Sequence, residues 1–415
     1  MTGRILELAE AGFHRLRAHP AFNRAARREL RADFGPRHPV DATHEPHLTE
    51  AVDWLVRAQD ATQSGGIARG YSVAWNRYFQ SRGWQPAYPE TTGYIIPTIL
   101  EAAHHLGRPE LVGRAIRAAD WEIEQQLESG AVQGGVIGQG RSPAVFNTGQ
   151  VILGWLAALE ATGDARYADA AARAGRYLVS ALSSDGHWRN GNSKFARSDS
   201  TLYNARVAWA LAEAGRRLDD PTFEDAARRN LRAVVDQQAP NGWLPNCCLN
   251  DPSRPLLHTI AYAIRGLVEG GSLLGDERVF RAGVKAARAL QPAVREDGWM
   301  SGRFDAQWAP AAGWSCLTGQ VQMCNNWIRL YQVTGEPAWI EPIPRVLGFV
   351  KSTQNRSAAD PGLRGGIKGS APFDGGYGRF EILSWATKYF ADALMRHQLI
   401  GAPVEAERIP KHRLA

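Results

Sequence analysis

The sequence predicts an all-α fold: an (α/α)6 barrel, six helical hairpins closed into two concentric rings. Three observations carry this. A helix-start motif recurs at Glu90-Thr91-Thr92-Gly93, Asn147-Thr148-Gly149-Gln150, Ser200-Thr201-Leu202-Tyr203, His258-Thr259-Ile260-Ala261 and Leu317-Thr318-Gly319-Gln320. Glu381-Ile382-Leu383-Ser384 stands in sixth place, with Ile382 at the threonine position, so the repeat runs 53 to 64 residues. Each start follows a glycine loop: Gly65-Gly66, Gly134-Gly135, Gly186-His187-Trp188, Gly242-Trp243, Gly298-Trp299 and Gly365-Gly366. Finally, two kinds of helix alternate, one amphipathic and one apolar nearly all round. The second kind belongs inside. Repeats this long suit a closed double ring; an open solenoid would use shorter repeats with polar caps at both ends.

In chain order, residues 1–46 precede the repeats. Glu7, Glu10 and Arg15 stand where the apolar core of a secretory signal would lie, so none is expected. Phe22, Ala26, Leu30 and Phe34 recur every four residues and predict an amphipathic helix over 21–34, packed on the outside of the main domain. Arg24, Arg27, Arg28 and Arg31 occupy its other face, and a sharper reading has that face dock on anionic lipid. The barrel itself spans 47–399. Its outer helices fall near 47–60, 109–128, 164–182, 221–237, 276–291 and 337–352, each with Arg and Glu on one side. The inner helices begin near 92, 148, 201, 259, 318 and 382. Runs such as Val151-Ile152-Leu153 and Ala205 to Ala210 leave them little polar face. Gly107, Gly163, Gly275 and Gly335 suit left-handed C-caps, and Asp220-Pro221 does the stopping in the third unit. A tail of 400–415 follows. No strand pattern of any length is expected.

The composition narrows the partners. Net charge is +6 with a pI near 9.2, which favours an anionic partner such as an acidic polysaccharide. No dense Lys/Arg block or nucleic-acid motif is present, so nucleic acid is not expected. No apolar run reaches the ~18 residues of a membrane-spanning helix. The four cysteines, Cys247, Cys248, Cys316 and Cys324, form no disulfide framework and point to a reducing cytoplasm. Phosphate loop, serine elbow and dinucleotide fingerprint are all missing.

In such a ring the loops that enter the inner helices share one mouth, where helix N-termini turn their free N–H groups and positive dipole ends. That mouth collects Trp75, Tyr78, Trp84, Tyr88, Glu90 and Tyr94 from the first unit, and Asn147 and Gln150 from the second. The third supplies Trp188, Lys194, Tyr203, Asn204 and Arg206; the fourth His258 and Tyr262. The fifth adds Arg303, Trp308, Trp314 and Gln320, and the sixth Tyr377, Glu381, Trp385 and Lys388. Aromatic faces beside amides and carboxylates suit an oligosaccharide or polysaccharide, acidic or lipid-linked, with CH faces to stack on and hydroxyls to bind. Some of these aromatics would instead plug the barrel or pin loops.

Glu90 and Glu381 form the sharpest pair, because the first and sixth units become neighbours when the ring closes. Two carboxyls flanking one point are what glycosidases need, one to protonate the leaving oxygen and one opposite. The plainer reading is two carboxylates at helix N-termini. A second constellation, Asn147, Gln150, Tyr203, Arg206, His258 and Tyr262, could instead run a uronate lyase or C5-epimerase. His258, Tyr203 or Tyr262 would be its base and the amides and Arg206 would neutralise the carboxylate. Cys247 or Cys248, His258 and Cys316 are the only metal candidates, but none of the usual close ligand spacings is present, so neither zinc nor any cofactor is expected.

With its hairpin architecture, Gly-Trp loops and Thr-Gly starts, the chain resembles the six-hairpin (α/α) toroid superfamily over about 47–399, including the segments Trp84 to Tyr94 (WQPAYPETTGY) and 313–320 (GWSCLTGQ). The same two segments resemble proteins of bacterial exopolysaccharide gene clusters. The resemblance implies the fold and an enzyme acting on glycosidic units, since the superfamily includes glycoside hydrolases, polysaccharide lyases and the helical domain of glucuronyl C5-epimerases. Related toroids serve terpene cyclases, protein prenyltransferases and lanthionine cyclases, but the DxDD motif and the Cys-His dipeptide of the two cyclases are absent here. A hydrolase with Glu90 and Glu381 as acid and base is the preferred expectation. A lyase or epimerase, a zinc enzyme and a glycan-binding scaffold are the alternatives.

Overall fold

The computed structural model describes Leu16, residues 19–192 and residues 201–400. Lys194, most of the N-terminal segment before 19 and the tail after 400 lie outside the described residues. Helix α1 (Arg24–Phe34) precedes six outer helices: α2 (Glu45–Asp60), α4 (Glu110–Gln125), α6 (Ala165–Ala181), α8 (Pro221–Asp236), α10 (Glu277–Ala289) and α12 (Ile343–Thr353). The inner helices are α3 (Pro89–His105), α5 (Val145–Thr162), α7 (Ala205–Leu218), α9 (Leu257–Leu274), α11 (Leu317–Thr334) and α13 (Ser384–Gln398). Each inner helix packs on the next, and α13 returns to α3, so the inner ring closes.

Closure of the outer ring is written in side chains. Gln59, Gln126 and Gln238, just inside or past the ends of outer helices, each donate to a carbonyl of another outer helix, that of Arg114, Ala170 and Ala282 respectively. Gln354, after α12, donates in the same way to the His47 carbonyl of α2, 3.0 Å away, and joins the last outer helix to the first. These glutamines are a second repeat that hydrophobic periodicity does not show.

The Thr-Gly starts have a physical reason. Thr92 Oγ1 accepts from Ile67 N and Thr148 Oγ1 from Val132 N, each at 2.9 Å, tying the glycine loop to the inner helix it feeds. The following glycine allows neighbouring inner helices to touch: a Cβ on Gly93 would lie 2.6 Å from Val151 Cα. The sixth threonine is Thr387, whose Oγ1 accepts from Ile367 N at 2.9 Å, and not the position of Ile382. Glu381 therefore precedes the last inner helix on a strand, whereas Glu90 lies within the first turn of its own.

Two expectations are corrected. Strands are present: β1 (Gly70–Asn76), β2 (Ser81–Trp84) and β5 (Glu381–Leu383) make a three-stranded antiparallel sheet in the order β2-β1-β5. A two-residue pair, β3 (Ser315–Cys316) and β4 (Ser370–Ala371), lies elsewhere. Tyr71, Val73 and Trp75 alternate with Ser72, Ala74 and Asn76, a period of two that the sequence reading passed over. Helix α1 meets the barrel by only part of the expected stripe, the buried Ala26 and half-buried Leu30. Phe22 and Phe34 are exposed, and the helix is anchored by Glu29 and Asp33, both paired with the buried Lys368.

One buried carboxyl has no partner among the described residues. Glu122, inside α4, is fully buried with neither oxygen hydrogen-bonded, and burial pushes its pKa well above the ordinary 4.5. A group whose folded pKa is raised stabilises most below its unfolded value and costs stability as pH rises through the folded one. Glu122→Met is accordingly expected to raise the melting temperature, more at pH 8 than at pH 5. The gain should be about 1–3 kcal/mol, the usual penalty of a buried unsatisfied group. Melting curves at the two pH values test this, and equal or lower stability at pH 8 would count against it.

Candidate active site

A cavity of about 550 Å3 opens where the inner-helix N-termini, β1 and the loop before α5 converge. Glu90 lines it from the first turn of α3, behind Pro89. Tyr88 donates its hydroxyl to Glu90 Oε2. Burial raises the Glu90 pKa to about 7, although Tyr88, Arg69 and Arg206 each pull it down. Part of the residue's surface stays open to the cavity. A carboxyl that titrates near neutrality can give up a proton and take it back.

Glu381 lines the same cavity from β5, in register with Ser72 of β1. Its Oε1 accepts from Arg69 Nη1 at 3.1 Å, Asn76 Nδ2 at 2.8 Å and Gln85 Nε2 at 2.5 Å. The Arg69 guanidinium also sits 4.8 Å from the Trp385 ring centroid and 5.4 Å from that of Phe79. The two carboxyls thus have unlike surroundings, one hydrogen-bonded by a phenol in a buried setting and one ion-paired.

His258 completes the polar lining. Its Nδ1 is 2.9 Å from Gln322 Oε1; in the tautomer that donates to this oxygen, the Nε2 lone pair is unprotonated. Burial lowers its pKa to about 4, so the ring is neutral at physiological pH. Its ring packs 4.5 Å from that of Tyr262 and 5.4 Å from that of Tyr377. Burial pushes the phenols of Tyr203 and Tyr262 up, which makes both poor bases at neutral pH and weakens that part of the sequence reading.

Of the residues expected at the mouth, Tyr78, Tyr88, Glu90, Asn147, Tyr203, His258, Tyr262, Tyr377, Glu381 and Trp385 line the cavity. The other described ones lie outside its wall, most of them packed elsewhere. Trp75 is on β1 but not in the cavity wall. Trp84 packs 5.1 Å from both Trp54 and Tyr71, between the sheet and α2. Tyr94 is buried deeper, with its ring 5.6 Å from Tyr389. Trp188 is core and donates to the Leu178 carbonyl. Asn204 bonds Asn192. Gln150 and Arg206 bond each other inside the barrel, where Lys388 pairs with Asp392. In the fifth unit, Arg303 holds Arg254 and Asn250, Trp308 stacks on Trp243, and Trp314 lies against Gly302 and Gly376. Gln320 is buried against the Gly298 carbonyl. These side chains pin loops, as most loop aromatics do.

Sequence reasoning missed Arg69, Asn76 and Phe79. The β1 alternation signals a strand but not its pairing with β5, which is what brings Arg69 and Asn76 to Glu381. The cysteines are all buried, and Cys247 donates to the Thr259 carbonyl. Among the described residues no three His, Cys, Asp or Glu side chains converge as a metal site.

No protein-family model and no curated protein sequence matches the chain. Solved structures do. An unsaturated glucuronyl hydrolase from a Bacillus species, described as responsible for glycosaminoglycan degradation, superposes with a TM-score of 0.68 at 14% identity, covering 85% of this chain and 96% of its own. A sugar epimerase from a ruminal bacterium gives 0.67 at 16% identity, with 87% and 98% covered. Cellobiose 2-epimerase from Bacillus thermoamylovorans gives 0.65 at 12% identity, with 84% and 96% covered. At such identities the likeness is one of architecture, and this chain shares with those enzymes the (α/α)6 toroid fold.

Proposed function

We propose that the protein is a carbohydrate-active enzyme, a glycoside hydrolase in which Glu90 is the proton donor and Glu381 the second carboxylate. The observation that carries this is Glu90: a carboxyl with a pKa of about 7, held by Tyr88, in a cavity walled by aromatic rings. A sugar ring would stack on Trp385 or Tyr377 while Glu90 protonates the glycosidic oxygen. Glu381, oriented by Arg69, Asn76 and Gln85, would face the developing positive charge. Arg69 and the basic pI favour an acidic glycan, in keeping with the glucuronyl hydrolases of the same fold. The free buried cysteines suit a reducing cytoplasm, where a lipid-linked glycan is a reachable substrate. The arginines and exposed Phe22 and Phe34 of α1 suit peripheral contact with an anionic membrane.

The test is incubation with neutral and uronate-containing oligosaccharides, including unsaturated uronyl-terminated ones, read by mass spectrometry. Hydrolysis adds one water per cleavage. Products that need neither Glu90 nor Glu381 would refute the assignment.

One observation favours a second reading. A neutral His258 ring lines the same cavity as the acid Glu90, the pairing that an epimerase needs to take a proton from one side of a carbon and return it. A product of unchanged mass in ordinary water that gains deuterium in heavy water, abolished in His258→Ala and in Glu90→Gln alike, would favour it.

A further inference from the structure

Beneath the candidate active site the barrel interior is unusually cationic. A second cavity, of about 20 Å3, is lined by Arg206, Arg265, Lys388 and Arg396 against a single carboxylate, Asp392. Asp392 is taken up by Lys388 Nζ at 2.6 Å, with Arg396 Nη1 at 3.9 Å. Glu269 pairs with Arg265 and Arg329, and Glu101 with Arg396. None of these acids pairs with Arg206. Its Nε donates to Gln150 Oε1 at 2.6 Å, and its guanidinium lies 5.0 to 5.7 Å from the ring centroids of Trp209, Tyr262 and Tyr389. Arg206 is 5% exposed, and it faces both this cavity and the space below Glu90.

A buried cation without a counter-charge is costly, and a protein offsets it with a partner or a bound anion. The volume sets the size. About 10–15 Å3 of probe-filled space holds one water, so a cavity of this kind admits one small particle and no phosphate, sulfate or sugar carboxylate. We propose that it is a binding site for a monatomic anion, chloride in the cell, held by Arg206 with Lys388 at its wall. The anion would balance Arg206 and so remove the positive field that favours ionisation of Glu90. Chloride would thereby keep Glu90 protonated to higher pH. That second consequence rests on the proposed role of Glu90; the site itself does not.

The experiment compares thermal unfolding in chloride, bromide and gluconate at one ionic strength, gluconate being too large to enter. The halides are expected to raise the melting temperature by about 2 °C or more over gluconate, saturating with concentration. Arg206→Gln should remove the difference. Crystals soaked in bromide should show an anomalous peak between Arg206 and Lys388, which decides the matter if the variant does not fold. Equal melting temperatures in the three salts, or bromide found only on the surface, would overturn the proposal. An alkaline activity limit that is unmoved by chloride, with the bromide peak in place, would leave the anion site standing and count against Glu90 as the acid.

Discussion

Glu90→Gln is expected to lower turnover on a glycan substrate by at least ~100-fold, the usual share of a general acid, while leaving the fold intact. Glutamine keeps the shape and can still accept from the Tyr88 hydroxyl, but it has no proton to give. The pH dependence gives an independent readout. With a pKa of about 7, the wild-type acid is lost as pH rises past neutrality, so kcat/KM should fall on the alkaline side with an apparent pKa near that value. The stability sign agrees. The folded pKa lies above the ordinary 4.5, so the folded state holds this proton more tightly, and its contribution is full below about pH 4.5 and declines up to about pH 7. In Glu90→Gln that part of the stability profile should flatten. Residual activity with an unchanged alkaline limb would move the acid elsewhere in the cavity.

Lys368→Met is expected to be the most damaging single change away from the cavity, at about 3–5 kcal/mol, the cost of breaking a buried ion pair from one side. Lys368 is 1% exposed, with its Nζ 3.2 Å from Glu29 Oε2 and 3.0 Å from Asp33 Oδ1. It is the bolt between α1 and the last repeat. Burial alone would raise the Glu29 pKa, but His38, Lys368 and Asn355 together bring it down to about 2. A depressed carboxyl contributes its stability above its unfolded pKa and loses it as pH falls through the folded one, here from about 4.5 towards 2. Without Lys368 two buried carboxylates face each other, and α1 should detach. Limited proteolysis would then cut within Arg24–Phe34 while the barrel stays intact. Adding Glu29→Gln and Asp33→Asn should recover much of the loss. Unaltered proteolysis in Lys368→Met would show that Asn23, whose side chain donates to the Val73 carbonyl at 3.0 Å, and the buried Ala26 hold the helix by themselves.

What the sequence determined by itself is the ring. The repeat of 53 to 64 residues, the apolar runs of the inner helices and the glycine C-caps are local features, each read from neighbouring residues. The Thr-Gly motif was legible because it does one local job, capping a loop N–H while letting the next inner helix come close. Glu90 was legible for the same reason, since Pro89 fixes where its helix starts.

What only the tertiary structure decided is which side chains share a cavity. Glu381 meets Arg69 and Asn76 because β1 pairs with β5, two strands some 300 residues apart joined only when the ring closes. Trp84, Trp308 and Trp314 look the same in sequence as Trp385, yet they pack against Trp54, Trp243 and Gly376. An aromatic residue beside a glycine can seal a loop or bind a sugar, and its own composition does not distinguish the two. The charge cluster beneath the site follows the same rule. Arg206, Arg265, Lys388 and Arg396 come from three inner helices, and each alone reads as an ordinary charged residue on a helix. Only their burial at a common point leaves one of them without a counter-charge, because burial and pairing are properties of where helices meet and not of the residues they carry.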